Sequence, residues 1–171
     1  MSKNQIYQYY VEGNNEKKMA SVLKSEYGHI IAGKIEKLNI VEKRITNQKL
    51  MQLKKDTIVI LVFDTDTESS EILDENLRYL ERQKNIRAVY CVTQVRNLED
   101  ELKKSCNIVQ IKELTGSKTN KEFKSDWQRI TNLRQRLDTK EFDFDKFWSS
   151  EAKGAFKHIE NEADKVKVRT K

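Results

Sequence analysis

Two short stretches of the chain are apolar almost without interruption: 5–11, rich in Tyr and Val, and 57–63, which contains Ile58-Val59-Ile60-Leu61-Val62-Phe63. Runs of this kind read as strands of a parallel sheet covered on both faces. Between and beyond them the apolar positions shift to helical spacing. Met19, Val22, Leu23 and Tyr27 form one stripe, predicting a helix from Asn14 or Asn15 to about residue 27. Leu73, Leu77 and Leu80 form a second, over 69–84, and Phe123, Trp127, Ile130, Leu133 and Leu137 a third, over 121–137. Further strands are predicted within 29–41, strongest at 37–41, and at 86–95 and 107–112. A loosely periodic helix is expected over 42–55 and a short one over 97–104. The last part, 142–168, carries Phe142, Phe144, Phe147, Trp148 and Phe156, then Ile159, Ala163 and Val166 at helical spacing, and predicts a helical C-terminal extension. Strands alternating with helices predict one α/β domain over 1–171, with a central, mostly parallel sheet of four to five strands flanked by helices.

Turn chemistry supports this outline. Gly13 allows a tight turn after the first strand, Asn14 or Asn15 can cap the helix beyond it, and Thr67, Ser69 or Ser70 can cap the next one. The aromatics fall on amphipathic stripes, so they read as core rather than as a base-stacking platform.

Composition removes several classes of function. No run of about 18 apolar residues exists, so no membrane-spanning helix is predicted, and the first residues lack the apolar segment of a signal peptide; a cytoplasmic protein is expected. The chain has only two cysteines, Cys91 and Cys106, and no CxxC pair, which reads as two buried small hydrophobes. His29 and His158 are the only histidines, which argues against an imidazole-based zinc enzyme and against a histidine-based triad. The net charge is +6 and is unevenly spread: residues 34–55 hold seven Lys or Arg against two Glu, and residues 111–140 hold eight against four acids. Either segment alone reads as solvated helix, but a basic surface beside an acidic crevice suits a polyanionic partner.

The residues just beyond the strands predict that crevice. Tyr9-Tyr10-Val11-Glu12-Gly13-Asn14-Asn15-Glu16 places Glu12 at the end of the first strand, and Phe63-Asp64-Thr65-Asp66 places two aspartates at the end of the third. In a parallel α/β sheet these ends face the ligand crevice. If the strand persists, period two puts Asp64 and Asp66 on the same side. Carboxylates gathered there repel one another unless a hard divalent cation neutralises them. Glu16 lies on a first helical turn, where the dipole alone favours an acid, and Arg96-Asn97-Leu98-Glu99-Asp100-Glu101 comes after the fourth strand, so one of these acids, foremost Glu99, either closes the same crevice or is an ordinary first-turn acid. The loop Gly116-Ser117-Lys118-Thr119-Asn120-Lys121, with Lys124 beyond it, could hold a phosphate or be a solvated loop.

These residues together resemble the Toprim domain family, whose pattern is Glu-Gly after the first strand and Asp-x-Asp after the third, on a parallel α/β sheet. The resemblance covers about residues 5–125. The form Val11-Glu12-Gly13-Asn14-Asn15-Glu16 with the later Asn97-Leu98-Glu99 looks most like the OLD-type and RloB-like defence nucleases. The resemblance implies magnesium (or manganese) held by Asp64 and Asp66, with Glu12 as general acid/base or metal-facing carboxylate. It implies Glu16 and Glu99 as supporting acids and Lys118 or Lys124 as the counterpart of a downstream phosphate-binding lysine. The expected activity is metal-dependent phosphodiester cleavage of DNA or RNA, with a role in antiviral defence. The chain has no P-loop, topoisomerase tyrosine domain or primase zinc module, so an ATPase, if one is needed, is expected on a separate partner chain.

Two other readings stand beside this one. A non-catalytic Toprim-like module would bind nucleic acid or a partner with no cation in its crevice. Asp64-Thr65-Asp66-Thr67 also spells the Asp-x-Asp-x-Thr nucleophile motif of haloacid-dehalogenase-like phosphatases. That motif usually sits on the first strand, and no later Asp-Asp pair completes a phosphatase site here.

Overall fold

The computed structural model describes residues 4–169. Four strands, β1 (Ile6–Val11), β2 (Lys34–Lys37), β3 (Thr57–Asp64) and β4 (Ile86–Gln94), form one sheet in the order β2-β1-β3-β4. Every pairing is parallel, with Val11 beside Val62 and Asp64 beside Gln94. Parallel neighbours need crossovers, and α1 (Asn14–Val22), α2 (Asn47–Met51) and α3 (Glu71–Glu81) lie in them. The chain continues through α4 (Leu98–Ser105), α5 (Lys112–Thr115), α6 (Phe123–Arg129) and α7 (Leu133–Thr139).

The alternation of side chains along β3 divides the core. Ile58, Ile60 and Val62 pack with Tyr9 and Val11 against Met19 and Leu23 of the first helix and against Leu102, Trp127 and Leu137. Val59, Leu61 and Phe63 pack with Tyr10 on the opposite face against Leu50, Leu73, Leu80 and Phe156. Period-two geometry with both faces covered gives the three-layer α/β arrangement. The cysteines are buried as expected, and burial pushes both thiols up to about 12.

Several expectations are corrected. The second strand lies at Lys34–Lys37, inside the expected 29–41 but ahead of 37–41, where the sequence favours it most. It is a short edge strand with only Ile35 buried, whereas Ile40 and Val41 are buried in the turn beyond it. The helix expected over 42–55 reduces to Asn47–Met51, capped by Thr46, whose hydroxyl accepts from Lys49 N. The fifth strand at 107–112 does not form. Asn107 N donates to Lys140 O at 2.7 Å, the stretch is loop and turn, and Lys112–Thr115 is helical. The edge of β4 that a fifth strand would have taken is met instead by Glu162: its N–H donates to Cys91 O at 2.7 Å, and its Oε2 accepts from Cys91 N at 3.0 Å. The helix expected over 121–137 breaks at 130–132 into α6 and α7. Beyond α7 the described extension contains no α-helix but 3-10 turns at Gly154–Phe156 and Ala163–Lys165 and an isolated antiparallel bridge from Lys167 to Ile30, although Phe147, Trp148, Phe156 and Val166 are buried as core. The first helix continues through a π-turn at Leu23–Tyr27 and ends on Gly28, whose φ of +67° suits glycine. Among the described residues no helix is long and apolar enough to cross a membrane.

Candidate functional site: a carboxylate rim at the carboxyl end of the sheet

β1 and β3 are neighbours, so the residues leaving their carboxyl ends meet. Glu12 Oε2 accepts a hydrogen bond from the backbone N–H of Asp64 at 2.7 Å. Asp64, the last residue of β3, shares with Val62 the face covered by α1. Its Oδ1 accepts from Gln94 Nε2 at 2.6 Å across the β3–β4 pair. Among the described residues neither acid has a cationic partner. Burial pushes the Glu12 carboxyl up to about 7, reinforced by repulsion from Glu16, Asp66 and Glu42 and opposed by the Asp64 N–H. Burial pushes Asp64 up to about 9, with repulsion from Glu12, Glu16 and Asp66 adding to it and the Gln94 amide opposing it.

Glu16 joins this rim from the first turn of α1. Its carboxyl is raised by burial and by Glu99, and lowered by the backbone N–H groups of Glu16 and Gly13 and by Lys124. Gly13 is extended (φ −146°), a backbone any residue adopts, so the expected tight-turn role is not used; a Cβ at this position would lie 2.9 Å from Glu16 Oε2, the far end of a flexible side chain. Asn14 and Asn15 do not cap the helix, which starts at Asn14. Asn15 instead accepts from α6, its carbonyl from Trp127 Nε1 at 3.2 Å and its Oδ1 from Gln128. Lys18 adds a second tie, donating to the carbonyls that end α6, including Gln128 O at 3.2 Å. These contacts bring α6 alongside α1. Lys124 of α6 then stands 3.7 Å from Glu99 of α4, forming an ion pair at the edge of the rim.

Glu12, Asp64, Glu16, Glu99 and Lys124 are thus gathered around one rim. Asp66 lies beyond the end of β3, so period two no longer orients it; it is exposed, yet close enough to raise both Glu12 and Asp64. Lys118 is exposed on the loop after α5 and makes no hydrogen bond or ion pair to these acids among the described residues. Among the described residues, no group of three or more His, Cys, Asp or Glu side chains stands arranged to hold a metal ion. The donor chemistry nonetheless suits a hard divalent cation, because every acid at the rim offers carboxylate oxygen and the two innermost lack a counter-charge among the described residues. The basic segment 34–55 is partly neutralised by its own surroundings, with Lys34 and Lys49 on Glu36 and Arg44 on Glu75.

The sequence does not single out Gln94 and offers Glu101 only as one of three acids after the fourth strand; both are about 1 % exposed. Gln94 holds Asp64, and its Oε1 accepts from Trp148 Nε1 at 3.2 Å. Glu101 accepts from Val95 N at 3.0 Å and Trp148 N at 2.9 Å, and pairs with Lys104 at 3.0 Å. One signal for Gln94 was present in the sequence: an amide side chain at the end of a strand that is apolar from Ala88 to Val92. Glu101 has none, since it reads as one of three acids on a first helical turn.

The fold and rim define an α/β protein with a cluster of carboxylates at the carboxyl end of its parallel sheet. No family model, curated protein or solved structure matches the chain.

Proposed function

We propose that this protein is a Toprim-type nuclease that cleaves phosphodiester bonds of DNA or RNA with magnesium, or manganese in its place. The observation that carries the reading is the pairing of Glu12 and Asp64 at adjacent strand ends. They are joined through the Asp64 N–H at 2.7 Å, and both carboxyls are raised with no basic side chain among the described residues to neutralise them. The motif resemblance of Glu12-Gly13 and Asp64-Thr65-Asp66 supports the same assignment.

In this reading Asp64 and Asp66 hold the cation, with Glu12 facing it and Glu16 and Glu99 supporting. When bound, the cation supplies charge neutralisation at the phosphate and a more acidic water. Glu12, with a carboxyl near 7, accepts a proton from the attacking water or returns one to the leaving oxygen close to neutral pH. Lys124 is exposed and tied only to Glu99 at 3.7 Å among the described residues, so it can turn toward a phosphate. Backbone-directed contacts of this kind make binding salt-sensitive and weakly sequence-dependent. A separate ATPase partner and a role in antiviral defence belong to the same proposal.

The test is a cleavage assay on a panel of DNA and RNA substrates with magnesium or manganese, using Glu12→Gln and Asp64→Asn as controls. Metal-dependent cleavage lost in both variants is expected. Manganese calorimetry that does not distinguish the native chain from Asp64→Ala/Asp66→Ala, with no cleavage, would replace the enzyme by a non-catalytic binding module. Turnover of small phosphomonoesters with a trapped phospho-aspartate at 64 would replace it by a phosphatase.

A further inference from the structure

We infer that Gln94 and Trp148 form a positioning relay that holds the Asp64 carboxylate, so that the segment after α7 is a working part of the crevice rather than only a cover for the sheet. Gln94 Nε2 donates to Asp64 Oδ1 at 2.6 Å, and Gln94 Oε1 accepts from Trp148 Nε1 at 3.2 Å. An indole N–H can only donate. It therefore selects the oxygen end of the amide and leaves the NH2 end facing Asp64. With the amide reversed, two donors would oppose each other at Trp148, and an ionised Asp64 would face a second acceptor. Trp148 fixes which way Gln94 points, and Gln94 fixes one oxygen of Asp64; among the described residues nothing donates to Asp64 Oδ2.

Trp148 is itself held from several sides. Its backbone N–H donates to Glu101 Oε2 at 2.9 Å, and its backbone carbonyl accepts from Asn161 Nδ2 at 2.9 Å. It is 2 % exposed and has a φ of +57°, a conformation a bulky residue keeps only where its surroundings over-determine it. Glu101 also accepts from Val95 N at 3.0 Å, the residue after Gln94, so one buried acid braces both ends of the relay. Apolar side chains would fill positions 94 and 148 without the cost of burying an amide. A buried amide is satisfied here because its two ends meet one donor and one acceptor.

The value of holding Asp64 rests on the nuclease reading, whereas the relay can be detected without metal. The chain has two tryptophans, so the full-length protein gives two indole N–H signals in a nitrogen–proton spectrum, and Trp148→Phe assigns them. Trp127, which donates to Asn15 O at 3.2 Å, is the internal reference. Asp64→Asn is expected to shift the Trp148 signal and leave that of Trp127 in place, and to shift neither in a Gln94→Leu background. A Trp148 signal indifferent to Asp64→Asn overturns the relay. In manganese calorimetry, Gln94→Leu and Trp148→Phe are each expected to lower affinity about 10-fold, with kcat falling and KM for nucleic acid unchanged. Trp148→Phe keeps most of the packing and serves if Gln94→Leu does not fold. Native affinity in both variants would overturn the positioning role. A native chain that binds no manganese would remove the nuclease reading, and the indole coupling would still decide the relay.

Discussion

Acidic side chains meet two different fates in two regions of this molecule. Along the outer edge of β2, Glu36 is paired with Lys34 at 2.6 Å and Lys49 at 3.4 Å, which lower its carboxyl. On α3, Glu75 is bound by Arg44 at 2.6 Å and is lowered in the same way. At the carboxyl end of β1 and β3, burial and mutual repulsion raise Glu12, Glu16 and Asp64 instead. The chain carries 33 Lys and Arg against 27 Asp and Glu, so cations are not scarce. Their absence around Glu12 and Asp64, among the described residues, is a feature of the site. A surface acid is ordinarily accommodated by a lysine in water, whereas these two are half-buried and met only by an N–H and an amide. This arrangement costs stability unless something positive arrives.

The largest expected effect comes from that contrast. Asp64→Asn keeps the shape of the rim and removes the charge, and cleavage is expected to fall about 1,000-fold or more in single-turnover assays with magnesium, beyond the loss of one hydrogen-bond donor. Glu36→Gln in the same assay is expected to leave the rate unchanged. Equal losses at the two positions would erase the distinction between the regions.

Next in size is a pH effect on the metal-free protein. Asp64 rises from an ordinary value near 3.8 to about 9, and Glu12 from 4.5 to about 7. The native state therefore holds protons that the unfolded chain releases. The stability these two groups contribute is fully present below their unfolded values near pH 4. It is lost as pH rises through 7 for Glu12 and 9 for Asp64. In chelator, the urea midpoint is expected to fall between pH 5 and 9. Asp64→Asn should remove the upper part of that fall and be more stable than the native chain at pH 8, by about 1–3 kcal/mol. Manganese should restore the native chain and not the variant. A native midpoint that climbs over this range in chelator would mean that the rim acids are neutralised by the protein itself.

Much of this could be seen in the sequence, for identifiable reasons. The run from Ile58 to Phe63 is long, apolar and ends on an acid, so β3 and Asp64 were legible together, and Tyr9-Tyr10-Val11-Glu12 was legible in the same way. Edge elements were less so. Lys34-Ile35-Glu36-Lys37 is charged because one side of an edge strand is wet, and Ile40 and Val41, which suggested a strand, are buried in a turn. Ile108 and Ile111 mimic a strand, but backbone pairing to Lys140 and Glu162 took both the segment and the sheet edge elsewhere. Glu101 and Trp148 act through partners 47 residues apart in the chain, a contact that no local pattern encodes.

The smallest effect sharpens the comparison from the other side. Glu36 is itself only partly exposed, but its partner Lys34 stands 70 % in solvent, and its bridges to Lys34 and Lys49 hold side chains that solvent would otherwise satisfy. Exposed pairs of this type contribute roughly 0–1 kcal/mol. Glu36→Gln is therefore expected to change stability by less than about 0.5 kcal/mol in low salt, and by nothing resolvable in about 0.5 M salt, where screening removes the attraction. The cost of leaving Asp64 and Glu12 charged arises in a half-buried place where screening acts less. Moderate salt should thus leave most of the chelator pH dependence of the native chain intact. If added salt flattened both responses equally, the rim would be an ordinary wet surface, and its carboxylates would have no need of a cation.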